Sequence, residues 1–205
     1  MKLRFFPSER AGLDILARMA QEVVAAVQAL SELLGAAPGD YAELAARVHS
    51  HESAAAELQF SLLTQLRSSF IPPLPREDLF ALSRFLHEAT EKLDAAADLM
   101  SLYSLERLPP RASEQLEVLV RQAELTVSAM HGLHNLDGLE DYWIEVLRLA
   151  RRAERTHRVF VAELLAGHKP LPALRHVQVA EQLVAGTRDM RRVASQVGSI
   201  IIQES

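Results

Sequence analysis

Cysteine is absent from this chain of 205 residues, and aromatic residues make up only 5% of it. Without cysteine the chain has no disulfide, no thiolate metal ligand and no cysteine nucleophile, which suits a reducing compartment. We therefore expect a cytoplasmic protein. Alanine, leucine, glutamate and arginine recur throughout, and these side chains lose little conformational freedom in a helix. The composition favours an all-α fold.

Long hydrophobic runs are also missing, so no membrane-spanning segment is expected. The segment Met1–Pro7 is basic and apolar but lacks the features of a signal peptide. A net charge of −5 and a pI near 5.9 argue against a nucleic-acid-binding protein, which needs a concentrated basic surface. The one dense basic run is interpreted as a solvated helix face. It comprises Arg148, Arg151, Arg152, Arg155 and Arg158.

Proline and glycine are few and clustered, which leaves helix-sized stretches between them. These breakers predict six long helices, and the short connections require neighbouring helices to run antiparallel. The predicted helices cover residues 9–35, 39–70, 76–105, 111–136, 138–167 and 172–204. His131 and His134 lie near a predicted helix end that contains Gly132 and Gly138, and with Asn135, Asp137 and Asp141 they are interpreted as marking a turn.

Apolar residues in the third predicted helix follow a heptad pattern, which predicts close packing along neighbouring helices. The pattern comprises Leu79, Leu82, Leu86, Ala89, Leu93, Ala96, Met100 and Tyr103. Similar stripes in the fourth and fifth helices suggest a duplicated three-helix unit in one compact domain. Its halves would be residues 1–108 and 109–205, and a single irregular bundle is the alternative.

An enzyme active site is not evident in the sequence. We find no nucleophile beside a base, no glycine loop that could cradle phosphate, and no defined carboxylate pair. Glu154 and His157 have the spacing found in di-iron bundles, but that site needs a second copy. The sequence predicts a protein that is not an enzyme.

The segment Ser69–Leu79, Ser-Phe-Ile-Pro-Pro-Leu-Pro-Arg-Glu-Asp-Leu, is followed by a helix that ends near Tyr103 and preceded by one carrying His51-Glu52. This order resembles the PhoU-like family found beside Pit-type inorganic phosphate permeases. The resemblance implies two stacked three-helix bundles and a regulatory or accessory role in phosphate transport. It also implies a phosphate permease or a signalling protein as partner.

The same resemblance implies surface metal clusters held by carboxylate pairs at i and i+4 on two helices of each half. In the first half those positions are Ser50 and Ala54, then His87 and Glu91. In the second half they are Ala150 and Glu154, then Val184 and Arg188. An arginine repels a cation, so the second site is expected to be lost.

One degenerate site is therefore expected, holding a divalent or iron-type ion. Its candidate ligands are His87, Glu91, His51, Glu52 and Glu57. Three histidines, His49, His51 and His87, could instead bind zinc with one glutamate. However, His49 and His51 face roughly opposite ways, about 200° apart on a helix. A di-iron or storage bundle and a ligand-free oligomeric adaptor stay open as alternatives. A homo-oligomer is expected from the apolar run Ile200–Ile202.

Overall fold

The computed structural model describes residues 7–68, 72–105 and 108–204, and these residues form six α-helices and no strand. The predicted all-α fold with six helices is confirmed. The helices are α1 Pro7–Gly35, α2 Tyr41–Ser68, α3 Arg76–Leu102, α4 Pro110–Gly132, α5 Leu139–Gly167 and α6 Pro170–Glu204, with a short 3₁₀ turn at Pro38–Asp40 before α2.

Several helix ends differ from their predicted positions. Helix α3 ends at Leu102 instead of residue 105, and Ser104 just beyond it has a positive φ of 47°. Helix α4 ends at Gly132 instead of residue 136, and Leu136 in the turn that follows has a positive φ of 55°. Helix α6 begins at Pro170, before the predicted start at 172, because proline fits the first turn of a helix.

Helices that follow one another in sequence and pack together run antiparallel, as their cross-helix contacts show. Residue numbers rise along one helix as they fall along the next. The pairs are Glu22–His51 and Glu32–Arg47 for α1 and α2, Glu52–His87 and Leu66–Arg76 for α2 and α3, and Glu154–Arg188 and His157–Glu181 for α5 and α6.

The helices pack in two groups of three. Helices α1, α2 and α3 contact one another, as do α4, α5 and α6, while α3 packs along α6 and α1 along α4. Buried residues from all six helices form one continuous hydrophobic core. Helices α2 and α5 therefore lie on opposite flanks of a layer made by the other four. The division of the chain at residue 108 stays a prediction.

The predicted heptad stripe of α3 forms part of this core. Its members from Leu79 to Met100 are buried, and Tyr103 is partly buried. The stripe of α5 is buried from Val146 to Leu164, while Trp143 is partly buried. None of the helices made by the described residues is long and apolar enough to cross a membrane.

The connection between α2 and α3 positions the two helices that carry the candidate site. Ser69–Ile71, part of the segment that resembles the PhoU-like family, lie outside the described residues. Arg76 at the start of α3 donates a hydrogen bond from Nε to the Leu66 carbonyl at 3.2 Å. The carbonyls at a helix end lack partners within the helix, so this contact satisfies one of them and ties α2 to α3.

Candidate metal centre

The candidate metal centre lies between the middle portions of α2 and α3. On α3, His87, Glu91 and Asp94 are spaced i, i+4 and i+7, which puts them on one helix face. On α2, His49 and Glu52 are spaced i and i+3. Because the two helices run antiparallel, these faces meet, and five side chains with oxygen or imidazole donors come together.

The first group of possible ligands is Glu52, His87 and Glu91. Each offers one ligand atom, and these atoms all lie within 4.8 Å of one another. Nε2 of His87 lies 3.0 Å from Oε1 of Glu52, and both side chains are only 18% exposed. Glu91 is exposed. The group is therefore open to solvent on one side and enclosed by the helices on the other.

The second group is His49, Glu52 and Asp94, whose ligand atoms also lie within 4.8 Å of one another. Nδ1 of His49 lies 3.2 Å from Oδ2 of Asp94. The hydrogen bond to Asp94 raises the pKa of His49. Burial raises the pKa of Asp94, partly opposed by the hydrogen bond from His49. Both groups contain Glu52, so they form one continuous cluster.

The donor chemistry of this cluster fits a metal ion. Carboxylate oxygens with imidazole nitrogens suit manganese, iron or zinc better than magnesium or calcium alone. Oδ1 of Asp94 is buried and has no hydrogen-bond partner, and a buried carboxylate oxygen without a partner is costly unless a cation or donor approaches it. These residues could therefore hold an ion between α2 and α3.

Two of the predicted ligands do not join the cluster. His51 points to α1, where its Nδ1 lies 2.8 Å from Oε2 of Glu22. Glu57 is exposed and belongs to neither group. It follows Glu52 by five residues, which places it about 140° around the helix. The prediction that His49 and His51 face different ways agrees with their contacts.

Asp94 was absent from the predicted ligands, and His49 was named only as a ligand of the alternative zinc site, although the structure places both in the cluster. The sequence spacing of these two residues could have indicated that they lie near the predicted ligands. His49 precedes Glu52 by three residues, and Asp94 follows His87 by seven, so each shares a helix face with a predicted ligand. Which of the two histidines on α2 faces α3 depends on the rotation of α2 about its axis, which tertiary packing determines.

No protein-family model matches the chain. It is similar to a protein of Rhizobium meliloti (strain 1021) named "Putative pit accessory protein". The two sequences are 23% identical over 210 aligned residues, which cover 98% of this chain and 96% of the relative. The similarity therefore extends over nearly the whole of both proteins.

Among the described residues of α5 and α6 there is no group of three possible metal ligands. Within residues 7–68, 72–105 and 108–204, both groups of three possible ligands lie between α2 and α3. On α5 and α6, Nε2 of His157 lies 3.1 Å from Oε1 of Glu181. The nearby Glu154 is bound by the guanidinium of Arg188. This region offers a histidine–carboxylate pair without a third ligand.

Proposed function

We propose that this protein is a non-enzymatic accessory or regulatory protein of inorganic phosphate transport that acts by protein–protein contact. The observation that carries the proposal is the similarity to a pit accessory protein along nearly the whole chain. The segment from Ser69 to Leu79, which resembles the PhoU-like family, also supports it. The partner would be a Pit-type phosphate permease or a signalling protein, reached in the cytoplasm.

We further propose that the cluster between α2 and α3 holds a metal ion. The ligands would be His49, Glu52, His87, Glu91 and Asp94, with Glu52 available to both groups. A bound cation supplies positive charge that attracts carboxylates from both helices. Contacts between the protein's own side chains also hold the two helices together, since His87 on α3 already binds Glu52 on α2. The ion would stabilise the surface that α2 and α3 present to a partner.

The division of the chain at residue 108 into two three-helix units, related as in the PhoU-like family, belongs to the same proposal. We also propose that the protein forms a homo-oligomer, which light scattering would test. The di-iron alternative requires ligands in the interior of the bundle. Among the described residues each group of three possible ligands includes an exposed member, Glu91 or His49, which favours a surface site.

Phosphate uptake tests the functional proposal. The chain would be expressed with and without the Pit-type permease of the same organism in cells that lack other phosphate transporters. We expect the chain to change the rate of radiolabelled phosphate uptake only when that permease is present, and to co-purify with it. An unchanged rate in cells that contain both proteins, with no co-purification, would overturn the proposal.

Metal analysis tests the site separately. Protein purified without chelator should contain bound metal, and the double variant His87→Ala, Glu91→Ala should lose it. The matched control is His157→Ala, Glu181→Ala, which removes a histidine–carboxylate pair between α5 and α6 and should leave the metal content unchanged. Parent protein without metal after incubation with manganese, iron or zinc would exclude the site and leave the transport proposal intact.

A further inference from the structure

The outward face of α5 differs in charge from the rest of this acidic protein. It carries five arginines spaced along three helical turns. They are Arg148, Arg151, Arg152, Arg155 and Arg158, and all of them are exposed. At 3.6 residues per turn they fall within an arc of roughly 120°. The buried stripe of α5 lies on the opposite side of the helix. We call this arc the arginine face.

Most of the positive charge on the arginine face is not neutralised. Arg148 is paired with Glu145 at 2.6 Å, whereas the other four arginines make no ion pair with any described residue. Glu154, which lies beside them in sequence, is occupied by Arg188 of α6. The four remaining guanidinium groups are therefore available to an anionic partner.

Acidic side chains flank the arginine face without interrupting it. Glu140 and Asp141 are exposed before the arginine row, and Glu163 is exposed after it. Glu163 is in turn bound by Arg111 of α4 at 3.1 Å. The middle of α5 thus presents a continuous positive surface between its two acidic ends.

Large apolar side chains are exposed on this same face. Ile144 is 53% exposed, Val159 is 40% exposed and Leu165 is 63% exposed. By helical spacing, Ile144 and Val159 lie within the arc of the arginines and Leu165 lies at its edge. Binding to an anionic membrane is strengthened both by basic side chains, which attract the headgroups, and by apolar side chains that enter the interfacial layer.

We propose that the arginine face of α5 binds reversibly to the surface of an anionic lipid bilayer. From Ile144 to Leu165 the helix extends for roughly 30 Å, a length suited to an extended surface rather than to a compact ligand. The arginines attract anionic headgroups, while Ile144, Val159 and Leu165 enter the interfacial layer. Helix α5 lies on the flank opposite α2, so membrane contact leaves the candidate metal centre uncovered.

The attraction should be electrostatic and therefore sensitive to salt. A basic side chain near an anionic membrane changes the partition coefficient about fivefold. Removing two arginines should accordingly weaken binding about 30-fold. Raising the ionic strength from about 0.1 M to about 1 M shortens the screening length from about 10 Å to about 3 Å and should release the protein.

Co-sedimentation with vesicles tests the proposal without any permease. The purified protein should bind vesicles of equal parts phosphatidylcholine and phosphatidylglycerol, and should not bind vesicles of phosphatidylcholine alone. The variant Arg152→Gln, Arg155→Gln should lose binding about 30-fold. Its matched control is Arg18→Gln, Arg67→Gln, which removes two exposed arginines from α1 and α2 and should bind as the parent does.

A second pair of variants separates a membrane from an acidic protein as the occupant. Ile144→Gln, Leu165→Gln should weaken vesicle binding, whereas Phe60→Gln, which alters an exposed side chain of α2, should not. Absence of binding to the anionic vesicles, or equal binding by the Arg152→Gln, Arg155→Gln variant, overturns the proposal. Binding to soluble polyglutamate as tight as to vesicles, with no effect of the Ile144 and Leu165 changes, indicates an acidic protein partner and also overturns it.

Discussion

The guanidinium of Arg188 on α6 donates two hydrogen bonds to the carboxylate of Glu154 on α5, at 2.6 and 3.0 Å. These are the positions at which the resemblance to the PhoU-like family would place metal ligands in the second half of the chain. The fixed positive charge of Arg188 replaces the cation that carboxylates would otherwise attract. Among the described residues, both groups of three possible metal ligands lie between α2 and α3.

This ion pair predicts a pH-dependent contribution to stability. The hydrogen bonds from Arg188 lower the pKa of Glu154 below its ordinary value of 4.5. A lowered pKa in the folded state contributes stability above the unfolded value, and this is lost as pH falls through the folded value. Because Arg188 is 42% exposed, we expect Glu154→Gln to cost only about 0.5–1 kcal/mol at pH 7.

Urea unfolding at neutral pH and at a pH well below 4.5, where the Glu154 carboxyl is protonated in the folded state too, would measure that contribution. The difference between the parent and Glu154→Gln should disappear at the lower pH. Combining Glu154→Gln with Arg188→Met should cost no more than the larger single change, since the two residues act as a pair. If the difference in stability between the parent and Glu154→Gln does not depend on pH, the ion pair with Arg188 is not its cause.

Asp94→Asn should stabilise the protein in the absence of metal. Burial raises the pKa of Asp94 above its ordinary value of 3.8, so the ionised carboxylate opposes folding once pH exceeds that value. The gain in unfolding free energy should be about 1 kcal/mol at neutral pH and should vanish below pH 3.8, where the unfolded chain is also protonated. Urea unfolding with a chelator present would measure it.

The matched control for this change is Asp98→Asn, four residues further along α3, which should leave stability nearly unchanged. With metal added, the parent should be more stable than Asp94→Asn, because this substitution removes a proposed ligand. A metal-free Asp94→Asn protein less stable than the parent would show that the Asp94 carboxylate is well accommodated in the fold.

Gly198→Ala and Gly186→Ala should have opposite effects although both glycines lie within α6. A Cβ at Gly198 would lie 2.9 Å from Cε2 of Trp143, which is too close. At Gly186 the nearest atom is a methyl carbon of Leu119 at 3.5 Å, an ordinary contact. We expect Gly186→Ala to add about 0.5–1 kcal/mol and Gly198→Ala to cost about 1–3 kcal/mol.

Fluorescence of Trp143, the sole tryptophan, reports on this contact directly. Its emission should shift in Gly198→Ala and not in Gly186→Ala, and urea unfolding would give the two free energies. If both substitutions stabilise the protein equally, α5 and α6 do not approach each other as closely at Trp143 as the structure places them.

Tyr41→Phe should destabilise the end of α3 more than Tyr103→Phe. The buried hydroxyl of Tyr41 donates a hydrogen bond to the Leu105 carbonyl at 2.6 Å, and its loss leaves that carbonyl without this partner, at a cost of about 1–3 kcal/mol. The hydroxyl of Tyr103 binds Gln178 at an exposed position, where a loss within about 0.5 kcal/mol is expected. Thermal unfolding of both variants would compare them, and equal losses would contradict the difference in burial.

The number of helices and their buried stripes could be predicted because both depend on local information. The heptad from Leu79 to Met100 marks a buried face, and the prolines near residues 72, 109 and 170 separate the helices. The positions of the helix ends were predicted less accurately. Ser104 and Leu136, just beyond the ends of α3 and α4, adopt a positive φ that their side chains do not favour, so neither of these two residues marked the end of its helix.

Composition and periodicity predicted an all-α protein of six long helices and put His87 and Glu91 on one helix face, since residues four apart on a helix are neighbours. The grouping of these two residues with Glu52 on the preceding helix was implied by the resemblance to the PhoU-like family. Only the tertiary structure decided that His49 and Asp94 join the cluster while His51 turns to Glu22. The physical reason is that the rotation of each helix is set by packing against its neighbours, which no single helix encodes.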